Sequence, residues 1–77
     1  MEEIYKDYRI RTMPRLNWDT DCWIPCADVS WDEEGTPCTL QLAGPADRFK
    51  LIDQAELYAV EMAMDWIDGE LMVDLTV

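Results

Sequence analysis

Apolar and polar positions alternate from Tyr5 to Leu16. Tyr8, Ile10 and Thr12 fall on one side, and Arg9, Arg11 and Met13 on the other. A period of two marks a strand with one buried face. Pro14 has no amide to donate, so it places this strand's end at an edge or a bulge. Asn17 to Asp21 has turn composition. A second strand follows over Cys22–Trp31, with Trp23, Pro25, Ala27, Val29 and Trp31 on one face and Ile24, Cys26, Asp28 and Ser30 on the other. Asp32 to Thr36 is a second turn, in which Gly35 is free to take a positive φ. Pro37 to Ala43 is a third strand, with Cys38, Leu40 and Leu42 set against Thr39, Gln41 and Ala43.

The period then changes. Gly44-Pro45 breaks the sheet, and residues 52 to 68 read as a helix that ends before Gly69. Its start is weak, because Leu51 is a poor N-cap. At about 100° per residue, Ile52, Ala55, Tyr58, Ala59, Met62, Ala63 and Trp66 form one stripe. This stripe is expected to lie on the sheet. A second apolar stripe holds Leu57, Val60, Met64, Ile67 and Leu71. The tail, Glu70 to Val77, alternates again, with Leu71, Val73, Leu75 and Val77 on one side, and reads as a short terminal strand. The expected fold is therefore α+β, a single domain over residues 1–77: a three-stranded antiparallel meander packed on one C-terminal helix.

Two stripes are more than one sheet needs. An uncovered row of large apolar residues exceeds the patch a monomer usually shows. The sequence thus predicts a homodimer, with a self-association interface of Leu57, Val60, Met64, Ile67, Leu71, Val73 and Leu75.

Charge narrows the partners. The 77 residues carry 17 Asp and Glu against 6 Lys and Arg, a net charge of −11. Residues 1–16 hold Lys6, Arg9, Arg11 and Arg15 against Glu2, Glu3 and Asp7; the remainder holds Arg48 and Lys50 against fourteen acids. Such a surface repels nucleic acid and anionic membrane, and favours a basic partner. Two alternative functions follow. One is an acidic decoy, mimicking a nucleic-acid backbone and occupying a basic protein site. The other is nucleic-acid binding through Arg9, Arg11 and Lys6, with the arginines on the outer sheet face, which needs a more permissive overall charge. Cross-strand pairing of Arg9 or Arg11 with Asp28 is the preferred reading of those residues. Trp18 sits in a polar turn and reads two ways: tucked under its hairpin, or exposed as an anchor for a partner.

Candidate chemistry is sparse. Without any His, a Ser–His or Cys–His pair cannot be built. Cys22, Cys26 and Cys38 are three soft ligands where a structural zinc needs four. An odd cysteine count with no secretory pattern suggests reduced thiols in a cytoplasmic setting. Three glycines make no phosphate loop, and no apolar run reaches the roughly 18 residues of a membrane span. The acids scatter over turns and a helix arc, as on a solvated surface. No enzyme, cofactor or metal is expected, and the function expected is that of a small interaction or accessory module.

Trp23-Ile24-Pro25, Val29-Ser30-Trp31, Gly44-Pro45-Ala46-Asp47-Arg48-Phe49, and Ala55 with Tyr58-Ala59, Met62-Ala63 and Trp66-Ile67-Asp68 resemble a family of small bacterial proteins of unknown function. The resemblance covers the chain up to Asp68. It implies a strand-strand-strand-helix fold and carries over no active residue. The chain departs from that pattern at Leu51, where a capping Ser or Thr is usual, and in its tail.

Overall fold

A computed structural model describes residues 2–73, with side chains through Leu71. The strands are β1 (Glu2–Tyr5), β2 (Tyr8–Thr12), β3 (Arg15–Asn17), β4 (Cys22–Ile24), β5 (Cys26–Glu33) and β6 (Thr36–Ala43), followed by α1 (Ile52–Val73). The fold is α+β, as expected, but the main sheet has four strands in the order β1-β2-β5-β6, and β3 and β4 form a separate pair. All pairings are antiparallel.

The expected first strand is cut twice. The chain reverses at Lys6-Asp7, where both residues take a positive φ, 50° and 70°. That is a two-residue type I′ turn, and it creates β1, pairing Tyr5 with Tyr8. A second break comes at proline. Arg9 pairs with Ser30, Thr12 with Ala27, Arg15 with Ile24 and Asn17 with Cys22. One register therefore runs through both sheets, so β2–β3 and β4–β5 form one long ribbon. In that register Pro14 faces Pro25. Met13 bonds Cys26 across the ribbon, so Pro14 and Pro25 meet at a non-hydrogen-bonded position, and regular pairing is interrupted where two rings of fixed φ face one another. The Met13 amide closes the main sheet beside the gap, donating to the Cys26 carbonyl at 2.9 Å.

The β5–β6 turn is also tighter than its composition suggests. Glu33 pairs with Thr36, leaving only Glu34 (φ 53°) and Gly35 (φ 83°) in another type I′ turn.

The helix packs across one face of the main sheet, chiefly over β2 and β5. Ile10, Ala27, Val29, Ala59, Ala63 and Ile67 form the centre of the core. Tyr8, Trp31 and Trp66 stack beside it, with ring centroids 5.4 to 6.3 Å apart. The alanine row Ala55, Ala59, Ala63 lies against the sheet as predicted, but the core face differs from the expected stripe. Val60 (8% exposed) and Ile67 (0%) are buried, whereas Ile52 is 41% exposed. Ile67, from the second stripe, joins Ile10 of β2 and Ala27 and Val29 of β5 at the centre of the core. Tyr5 of β1 packs against the core together with Met64 and Leu71.

The helix also runs further than predicted, through Gly69 to Val73. Residues 70–73 are helical rather than the start of a terminal strand. Residues 74–77, the remainder of that expected strand, lie outside the described residues. No helix among the described residues is long and apolar enough to cross a membrane.

Candidate interaction surfaces

The predicted helix interface does not survive folding as a unit. Val60 and Ile67 are consumed by the chain's own core, and Met64 and Leu71 are half-buried against it. Leu57 remains, 61% exposed. Val73 lies at the helix end, with its side chain outside the described residues, as is Leu75. What α1 presents outward is charge. It carries Asp53, Glu56, Glu61, Asp65, Asp68 and Glu70 and no Lys or Arg.

Trp18 is 84% exposed, so its ring is not tucked under the hairpin. It occupies the tip of the β3–β4 hairpin. The Asn17 side-chain oxygen accepts the Asp19 amide at 3.1 Å, and the Asp21 amide donates to the Asn17 carbonyl at 2.8 Å. The hairpin is tied to the segment before the helix: Asn17 Nδ2 and Thr20 Oγ1 both donate to the Ala46 carbonyl, at 3.3 and 3.0 Å. Lys50 Nζ donates to the Thr20 carbonyl at 3.2 Å, and the Trp23 amide to the Phe49 carbonyl at 2.6 Å. The ring is thus displayed on a braced turn.

Arg9 and Arg11 lie on the sheet face away from the helix. Arg11 stands between Glu2 and Asp28, and Arg9 between Ile4 and Ser30. The expected opposition of Arg11 and Asp28 is present in the register. No ion pair joins them within 4 Å; the one ion pair among the described residues is Lys6–Asp68, at 2.7 Å. Ile4, Arg9, Ser30 and Thr39 line a shallow depression of about 300 Å³ on this face. With Glu2, Asp7, Asp28 and Asp32 beside them, the arginines sit in a mixed field, which suits a phosphate backbone poorly.

The last surface is one the sequence reading passed over. β6 is an edge of the main sheet, and its residues Thr36, Pro37, Cys38, Thr39, Leu40, Gln41, Leu42 and Ala43 include no charge. Most natural edge strands carry protective charge, because their unpaired amides and carbonyls invite another strand. The Thr36 amide closes the I′ turn onto Glu33, and the Gly44 amide donates to Pro25 at 2.8 Å. Even-numbered positions therefore point at β5. Pro37, Thr39, Gln41 and Ala43 point outward, and of these only Pro37 lacks an amide. The opposite edge, β1, opens with Glu2 and Glu3. The signal was available in sequence as the one strand of the main sheet free of charge, in a chain of −11.

Cys22 is buried, Cys26 and Cys38 are half-buried, and all three thiols are free. No group of three or more Cys, Asp or Glu able to hold a metal occurs among the described residues. Family models, curated proteins and solved structures yield no match to the chain. The resemblance to small bacterial proteins therefore rests on its aromatic and turn positions alone.

Proposed function

We propose that this protein is a small interaction module that engages another polypeptide by strand addition at the β6 edge. The observation that carries the reading is an eight-residue edge strand with no charged side chain, in a chain of net charge −11. Main-chain bonds to Thr39, Gln41 and Ala43 supply the attachment, and side chains on the two faces supply selectivity. Trp18 offers a separate aromatic contact at the far end of the ribbon. The partner expected first is a second copy of the chain.

A synthetic octapeptide of alternating Thr and Val, titrated to millimolar concentration, tests the edge. Amide shifts are expected at Thr39, Gln41 and Ala43. Saturation without change at those three amides rejects strand addition.

The acidic outer face of α1 favours a second reading, a decoy for a basic protein site. Exposed Glu61 and Asp65 lie about 6 Å apart along the helix axis, near the spacing of successive phosphates. Binding to a polycation such as poly-lysine should then collapse with salt and weaken in Glu61→Gln/Asp65→Asn. Binding that is indifferent to both changes counts against it.

A further inference from the structure

We infer that β6 pairs with β6 of a second copy about a two-fold axis at Gln41, joining two sheets into one of eight strands. The inference rests on the strand-addition reading above and names its occupant and register.

Charge leaves this edge open to a second copy, and the self-complementary register of its outward amides and leucines points to one. Two copies at −11 each repel one another wherever their surfaces carry that charge. The β6 strip is neutral, so antiparallel self-pairing brings no like charges face to face. The helices stay apart, because α1 is centred over β2 and β5 and only flanks the edge strand. With strands about 4.8 Å apart, the two helix axes end up roughly 19 Å from each other across the joint. That is about two Debye lengths at physiological salt.

The outward amides select the register. With Gln41 opposite its own copy, Thr39 falls opposite Ala43 of the second copy, and Ala43 opposite Thr39. All three pairs are then of the hydrogen-bonded kind, giving about six main-chain bonds. Pro37, the outward position without an amide, falls outside them. The same register sets Leu40 opposite Leu42 of the second copy, and Leu42 opposite Leu40. Both leucines are half-buried on the helix side of the sheet, and pairing makes one apolar row of four. Gln41, exposed on the other face, meets only Gln41 at the axis. No alternation is violated: inner side chains meet inner, and outer meet outer.

The register makes a sharp test. Hydrogen-bonded partners have Cα atoms about 5.5 Å apart, inside the window a disulfide spans. Gln41→Cys should cross-link into a covalent dimer under mild oxidation, with the bridge mapped between the two introduced thiols. Thr39→Cys should not, since its own copy lies four residues further along the strand, roughly 13 Å away. The unmodified protein should scatter light as a dimer at about 100 µM, and Gln41→Lys should raise the apparent dissociation constant at least ten-fold. Lysine at this exposed position lowers the net negative charge, so loss of association cannot come from added global repulsion. Circular dichroism shows whether the variant keeps its fold; Gln41→Ser provides a milder control that should still associate.

A monomer at 1 mM overturns the inference, as does equal cross-linking of the two cysteine variants or a Gln41→Lys dimer as tight as the parent. If the protein is a monomer while the Thr/Val peptide still shifts the three outward amides, self-pairing fails and the strand-addition reading stands. If neither event occurs, both fail.

Discussion

The phenol of Tyr5 donates to both oxygens of the Asp68 carboxylate, at 2.9 and 3.1 Å, joining residues 63 positions apart. Lys6 reaches the same carboxylate at 2.7 Å, and its ammonium lies 5.1 Å from the Tyr5 ring centre. One carboxylate on the helix thus fastens the first hairpin, whose turn is held by two non-glycine residues at positive φ.

This clasp has a defined pH dependence. The Lys6 contact first, and the Tyr5 hydrogen bond second, hold the Asp68 carboxyl below its ordinary value. The Asp68 bond first, and Tyr5 second, hold the Lys6 ammonium above its own. The stability due to Asp68 is fully present above about pH 4, the ordinary carboxylate range, and is lost as pH falls through the lowered value. That due to Lys6 is present below about pH 10.4 and is lost as pH rises through the raised value. Both groups face solvent, so the effect is shallow. Thermal melts from pH 2 to 11 should show Asp68→Asn below the parent by a constant gap between about pH 5 and 9. The gap should narrow at both extremes. A gap that widens in acid contradicts the assignment.

Gly44 leaves no room for a side chain. A Cβ there would stand 2.7 Å from Pro25 Cγ and 2.8 Å from Tyr58 Cε1. Tyr58 is itself packed on Phe49, with centroids 5.1 Å apart. Gly44→Ala should destabilise by about 1–3 kcal/mol in urea unfolding. Gly69→Ala, with open space around it inside a helix, should instead stabilise by roughly 0.5–1 kcal/mol.

Leu51 takes the N-cap position of α1, accepting the Ala55 amide at 3.3 Å with its carbonyl while its side chain is largely exposed. Leu51→Asp should stabilise by about 1 kcal/mol, by capping an orphan amide and by placing a negative charge at the helix start. Denaturant midpoints measure the gain; a loss shows that the leucine side chain contributes packing instead.

The two helix stripes separate by substitution. Ile67→Ala removes a fully buried side chain and should destabilise by about 2–5 kcal/mol. Leu57→Asp, on an exposed position, should stay within about 0.5 kcal/mol of the parent. Under the β6 pairing it should also leave the dimer intact, whereas an interface on the helix stripe predicts its loss. Unfolding curves and light scattering on the same samples read both.

The local periods are legible in the order of residues. Alternation placed Tyr8–Thr12, Ala27–Trp31 and Cys38–Leu42 with the correct faces inward, and helical spacing laid Ala55, Ala59 and Ala63 on the sheet. These follow from side-chain direction along a strand or a helix, which neighbours in sequence already set. The remainder depends on contacts between distant segments. Lys6-Asp7 carries no glycine or asparagine to announce a I′ turn, so β1 formed where no turn was expected. Pro14 and Pro25 were each visible, but that they face one another depends on a register between distant segments. The second apolar stripe looks like an interface in sequence, because the residues that bury Ile67 lie far from it along the chain. Ile67 enters a core built by Ile10 of β2 and Ala27 and Val29 of β5, and Val60 is buried as well. Burial depends on what the rest of the chain brings to a side chain, and no window of sequence contains that.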